Sequence, residues 1–140
     1  MTRYLLDTNT VSYLARNSSP AAFAEFARRG GDPNSELCIS SITLAEIRYG
    51  LAKKLLSPRR IDAMDSLVAF LKVLPWAERE AAAYGILRTR LEAKGITVEA
   101  MDMLIAAQAI ASGSVLVTHD AIFQRISDLH ATVDWATDLS

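Results

Sequence analysis

"RYLLDTNTVS", residues 3–12, decides how the rest of the chain is read. Tyr4 to Leu6 is a short apolar run of the kind that forms a buried strand. It stops abruptly on Asp7, Thr8 and Asn9 before a pattern of helical period runs from Thr10 to Arg16. The sequence of strand, polar break and helix then recurs. Leu37 to Ser40 leads into a helix from about Thr43 to Leu55, and "VLVT" at 115–118 leads through His119 and Asp120 into one or two helical turns, "AIFQRI". Short apolar runs separated by longer helical stretches predict a single α/β domain over residues 1–140, with a mostly parallel central sheet flanked by helices.

The other segments fit that plan. Ala21 to Arg29 reads as a helix closed by Gly30 and Gly31, which suit a left-handed helix end. Arg60 to Phe70 carries a helical face of Ile61, Met64, Leu67 and Val68. "KVLP" is a short strand ended by Pro75, and "AEREAAAYGILRTRLEAKG" a long helix stopped at Gly95. Met101 to Ser112 is apolar nearly all round, which places it in the centre of the domain, and Gly113 ends it. "TVDW" at 132–135 is a last edge strand.

Composition narrows the class. With 140 residues, 51% of them hydrophobic, the chain is long enough to bury a core without a staple. One cysteine, Cys38 in "ELCIS", leaves no disulfide framework and no thiol cluster for zinc. Its surroundings read as those of a small buried apolar residue. The apolar run at "MTRYLLDTN" is far too short for a secretory leader and none reaches membrane-spanning length, so the expected compartment is the cytoplasm. A formal charge of −1 withholds the overall basic footprint of a nucleic-acid binder, although grouped carboxylates can mask basic residues elsewhere.

Four acids occupy equivalent places. Asp7 ends the first strand and Asp120 follows the late one. Glu46 and Asp102 lie in the first turns of the helix after "LCIS" and of the central helix. In an open parallel sheet these positions share one edge, where ligands bind. Each acid also has a bland explanation: Asp7 and Asp120 as helix caps, Asp102 as a dipole partner, and Glu46 as the far end of a "TLAE" capping box begun by Thr43. Together they are harder to explain that way. Two carboxylates about 4 Å apart repel by up to ~4 kcal/mol at an effective dielectric near 20 unless a proton or a cation intervenes. An oxygen-only set without histidine or thiol favours Mg²⁺ or Mn²⁺, and such a centre suits phosphodiester hydrolysis. Thr8, Asn9, Ser41 and Thr118 then become groups that orient carboxylates or waters, with ordinary turn and cap chemistry as the alternative for each.

"LLDTNTVSYL", "ISSITLAEIRYGL", "MDMLIAAQAIASG" and "VLVTHD" stand in the order and approximate spacing of PIN-domain ribonucleases, and the whole chain resembles the VapC-type toxins of bacterial toxin–antitoxin pairs. The resemblance implies a sheet covered by helices on both sides and Mg²⁺- or Mn²⁺-dependent endonucleolytic cleavage of RNA. It also implies a homodimer and a cognate antitoxin, with contact to DNA only through that antitoxin. Carried over residue by residue, Asp7, Glu46, Asp102 and Asp120 match the family's acids, Thr118 the polar residue ending the late strand, and Asn9 the one in "DTN". Two features depart from the pattern. Glu99 in "TVEAM" adds an acid, and His119 stands where Asn or Arg is common, read here as facing solvent.

Other classes fare worse. There is no Gly-rich phosphate loop and no G-x-S-x-G, which removes nucleoside-triphosphatase and α/β-hydrolase readings. Ser41, His119 and Asp120 make a poor triad because the last two are neighbours in sequence. A receiver-like signalling module would need a lysine ending a late strand, and "VLVTHD" has none; a non-catalytic RNA-binding domain would not need the full acid set. Arg28, Arg29, Arg88 and Arg90 read as solvated faces, as do most of Lys53, Lys54, Arg59 and Arg60, although this last group beside Pro58 could also grip RNA. The helix from Thr43 to Leu56 and that from Arg60 to Phe70 would together offer a groove to an amphipathic partner segment.

Overall fold

The computed structural model describes residues 1–139. Along the chain these form β1 (Thr2–Leu6), α1 (Thr8–Ala15), α2 (Pro20–Gly30), β2 (Ser35–Ser40), α3 (Ser41–Lys53), α4 (Pro58–Phe70) and β3 (Lys72–Leu74). Then come α5 (Glu78–Ala93), α6 (Ala100–Ser112), β4 (Val115–Val117), a 3-10 turn over Ala121–Arg125 and β5 (Ala131–Val133). The strands pair in the order β3-β2-β1-β4-β5, every pair parallel. The chain steps outward from β1 to β2 and β3 and then crosses back to β4 on the other side of β1. That reversal opens a crevice at the carboxy ends of β1 and β4.

Alternation along the strands supplies both faces. Leu5, Cys38 and Leu116 point to one side and pack with Leu87 and Leu91 of α5 and Met103, Ile105 and Ala106 of α6. Tyr4, Leu6, Ile39 and Val117 point to the other and meet Val11 and Leu14 of α1, Ala22 of α2 and Val68 of α4. Alanines at 106, 107 and 109, all with no exposed surface, let α6 lie close against its neighbours, as its apolar circumference requires. Gln108 on the same helix donates to the Leu74 and Pro75 carbonyls at 3.3 and 3.0 Å, tying α6 to the end of β3. Cys38 is a buried free thiol, pushed up to about 12 chiefly by burial and next by the Glu36 charge, so it is inert. Among the described residues no helix is long and apolar enough to cross a membrane.

Several element ends differ from the sequence expectation for local reasons. α1 begins at Thr8 because the Asp7 carboxylate accepts from the Thr10 amide at 2.9 Å. α3 begins at Ser41, capped by Ser40, whose hydroxyl accepts from the Ile42 amide at 3.0 Å. Gly31 closes α2 with φ −88°, so that helix has no left-handed end. Gly30 matters for another reason: a Cβ there would meet the Phe70 ring at 3.1 Å, so its bare backbone lets α4 come close. Gly113 does take the left-handed conformation, φ 63°, and ends α6 as expected. The last strand covers only Ala131–Val133, and Trp135 leaves it to bury its ring against Tyr4.

Candidate active site

Asp7 sits where β1 hands over to α1, and it is buried. A carboxylate removed from water resists ionising, so burial pushes Asp7 upward from its ordinary value, and the charge of Asp120 adds to this. Hydrogen bonds from Thr118 and Thr10 oppose the shift and hold the group in place. The Thr118 hydroxyl also accepts from the Asp120 amide at 3.1 Å. One threonine at the end of β4 thereby links the acids that follow β1 and β4. Asp120 itself is exposed and caps the 3-10 turn, accepting from the Ile122 amide at 3.0 Å.

Glu46 approaches from α3. The capping box expected for it does not form, because the helix starts two residues before Thr43 and leaves Glu46 in the second turn. Its carboxylate instead accepts from the Thr8 hydroxyl at 2.6 Å, a bond that joins α3 to the first residue of α1. Asp102 lies in the first turn of α6. Burial first, and then the charges of Asp120, Glu99, Asp7 and Glu46, raise its carboxyl to about 6. The other three acids singled out from the sequence, with Glu99 in addition, thus all contribute to the field at Asp102.

The supporting residues divide. Thr8 and Thr118 touch the acids as expected. Ser41 does not: its hydroxyl accepts from the Trp76 amide at 3.1 Å and anchors the chain after β3, beyond the carboxylates. Asn9 is exposed in the first turn of α1. His119 does not simply face solvent, since its Nδ1 lies 2.8 Å from Asp134 Oδ2 and its ring meets Tyr13 edge-on. That pairing also removes His119 from any triad with Ser41. Thr10, absent from the sequence reading of the site, is a further support: its amide donates to the Asp7 carboxylate at 2.9 Å and its hydroxyl donates to the Val117 carbonyl at 3.2 Å. Its position three residues after a capping aspartate was the available signal.

Several acids elsewhere have amide or cationic partners. Glu80, buried in the first turn of α5, accepts from the Ala77 amide at 2.9 Å. Arg28 and Arg29 pair with Glu25, Arg88 with Glu92 and Arg90 with Asp128. The gathered acids have a different character. Their donors are oxygen alone, which fits a hard divalent cation, and their mutual repulsion is what such an ion relieves. Among the described residues no three His, Cys, Asp or Glu side chains stand close enough together to hold a metal ion as they are placed.

A family model for the PIN domain matches residues 4–129. The chain belongs to the PIN-domain family. This PIN domain is 34% identical over 137 residues to the tRNA(fMet)-specific endonuclease VapC of Salmonella typhimurium, covering 96% of this chain and 99% of that protein. Ribonuclease VapC2 of Rickettsia felis is 35% identical over 127 residues, 90% of this chain and 93% of its own. In three dimensions the PIN domain is similar to a chain of VapBC2 from Rickettsia felis bound to a promoter DNA fragment, with a TM-score of 0.88 and 31% identity over 96% of this chain and 99% of that one. A chain of the DNA-bound VapBC of Salmonella typhimurium follows at a TM-score of 0.85 and 32% identity, covering 96% of this chain and 99% of that one. The receiver-like alternative falls with these matches.

Proposed function

We propose that this PIN domain is a metal-dependent endoribonuclease, the toxin of a type II toxin–antitoxin pair, in which Asp7, Glu46, Asp102 and Asp120 hold Mg²⁺ or Mn²⁺. The observation that supports the reading is Asp102, whose carboxyl is raised first by burial and then by the charges of Asp120, Glu99, Asp7 and Glu46, acids brought from the end of β4, the start of α6, β1 and α3. When bound, the ion supplies Lewis acidity at the scissile phosphate and lowers the pKa of an attacking water. The chain's own residues do the positioning. Thr118 and Thr10 fix the Asp7 carboxylate, and Thr8 fixes that of Glu46. Asp120, exposed at the mouth, is the acid that RNA reaches first.

An antitoxin partner, a homodimer and a cytoplasmic setting follow from the same reading, with DNA reached only through the antitoxin. The tip joining α3 and α4 extends it to substrate. Lys53, Lys54, Arg59 and Arg60 are exposed there beside a fully exposed Leu55, and they would grip the phosphate backbone. Neutralising the four should flatten the salt dependence of RNA affinity; an unchanged slope removes them from the footprint.

The test of the main reading is cleavage of RNA by the purified protein with Mg²⁺, Mn²⁺ or a chelator, followed by sequencing of the new ends. The tRNA(fMet) named for the Salmonella relative is the first substrate to offer. Discrete cuts that require the metal and vanish in Asp7→Asn support the reading. Wild-type cleavage in the metal-checked Asp7→Asn variant overturns it.

A further inference from the structure

The deviant histidine leads beyond the acid pocket. His119 lies between Thr118, which bonds to Asp7, and Asp120. Its ring is held from two sides. Asp134, just past β5, accepts a hydrogen bond from the His119 Nδ1 at 2.8 Å, a carboxylate oxygen serving as the acceptor. Tyr13 of α1 meets the imidazole with centroids 6.1 Å apart and planes at 85°. Arg16, one helical turn further on, sets its guanidinium 5.9 Å from the centre of the Tyr13 ring. A quarter of the His119 side chain remains open to solvent. Tyr13 is six residues along α1 from Asp7, a rise of ~9 Å, so this group borders the pocket without belonging to it.

We propose that Tyr13, His119 and Arg16 form a rim that holds an unpaired nucleotide next to the scissile phosphate, with Asp134 as the positioning residue for His119. The inference rests on the nuclease reading above. Two aromatic rings at right angles make a corner in which a base stacks on one ring and sets its edge against the other, and a nearby arginine adds charge for the backbone. Unpaired RNA is bound through this combination of aromatic faces and guanidinium groups. A latch between the ends of β4 and β5 would need the His119–Asp134 bond alone, without the Tyr13 corner or the cation over it.

The experiment compares steady-state cleavage of a single-stranded RNA and sequenced cut sites for the wild type, Tyr13→Phe, Tyr13→Leu, His119→Ala and Asp134→Asn, with melting curves for each. Tyr13→Leu and His119→Ala should raise KM by about tenfold with little change in kcat and should shift the base preference beside the cut. Tyr13→Phe, which keeps the ring, should retain the wild-type KM. Asp134→Asn should give a smaller rise in KM together with the shifted preference, which a loss of stability alone would not produce. An unchanged KM and cut pattern in folded His119→Ala overturns the rim even if Tyr13→Leu fails to fold, and so does a loss confined to kcat. An inert wild type overturns the nuclease reading and the rim with it, whereas an active wild type with indifferent variants overturns the rim alone.

Discussion

At the amino ends of the strands, Glu36 of β2 lies between Arg3 of β1 at 2.6 Å and Lys72 of β3 at 3.4 Å. The hydrogen bond from Arg3 is the main reason its carboxyl is held below the ordinary glutamate value. At the carboxy ends, burial first and then the charges of Asp120, Glu99, Asp7 and Glu46 drive the Asp102 carboxyl up. One sheet therefore carries opposite charge logic at its two ends. The amino end shows what the chain does with an acid when stability is the only requirement: it supplies cations. At the other end the acids are oriented by threonine hydroxyls and left to repel. The contrast is the physical case for a ligand there, because a site built for folding alone would pair its charges.

The strongest way to break the comparison is Asp7→Asn. On the proposed reading, in which this carboxylate holds the ion, the change should lower cleavage by more than about 100-fold, beyond the loss typical of an outer supporting residue. The metal-free melting temperature should stay level or rise, since a buried charge is removed and the amide oxygen can still accept from Thr10. A clear fall in melting temperature would mean that Asp7 serves mainly as a cap, and the two ends would no longer differ in kind. Thr118→Val sharpens the same point with a smaller effect. It deletes the hydroxyl between Asp7 and Asp120, so activity should drop about 10- to 100-fold while stability falls by about 1 kcal/mol. Kinetics alongside chemical denaturation separate the two.

The ends should also respond to pH with opposite sign. Asp102 moves from 3.8 to about 6 on folding, so between those values the folded chain binds more protons than the unfolded one. Metal-free stability should then fall as pH rises from about 4 to about 6, by about 2 kcal/mol once solvent screening is allowed for. Added Mg²⁺ should reverse the loss above pH 6. Glu36, held low, contributes in the other direction: its support is present above the ordinary glutamate range and is lost as pH falls through its lowered value. Denaturant midpoints from pH 4 to 7, with and without Mg²⁺, check this, and a metal-free profile flat across that window would contradict it. The smallest effect belongs to Glu36→Gln, expected to cost about 1 kcal/mol and to leave cleavage unchanged, because its ion pairs keep partial contact with water and the amide oxygen can still accept from Arg3. Impaired cleavage in that variant would show that the two ends are coupled.

Much of this was legible in the residues. The abrupt end of the apolar run at Asp7 marked a strand passing into a helix, and the left-handed turn at Gly113 was foreseeable from a glycine after an apolar helix. Glu46 escapes its local pattern. "TLAE" satisfies the capping rule, but Ser40 starts the helix earlier and frees the glutamate for Thr8, 38 residues away in sequence. Ser41 was drawn toward the site by its position and belongs to Trp76. Nothing near His119 in sequence announces Asp134 or Tyr13, so its partners are not legible there.

By itself the sequence determined the element types, their α/β alternation and the placing of acids where strands give way to helices, since period, caps and breakers act over a few residues. Tertiary structure decided which of those acids meet. The order β3-β2-β1-β4-β5 sets β1 between β2 and β4, so Asp7, Glu46 and Asp120 converge on Asp102 although they are scattered over the length of the chain. Strand order is settled by the packing of the whole domain, and an electric field falls off with distance through space, whatever the separation along the backbone.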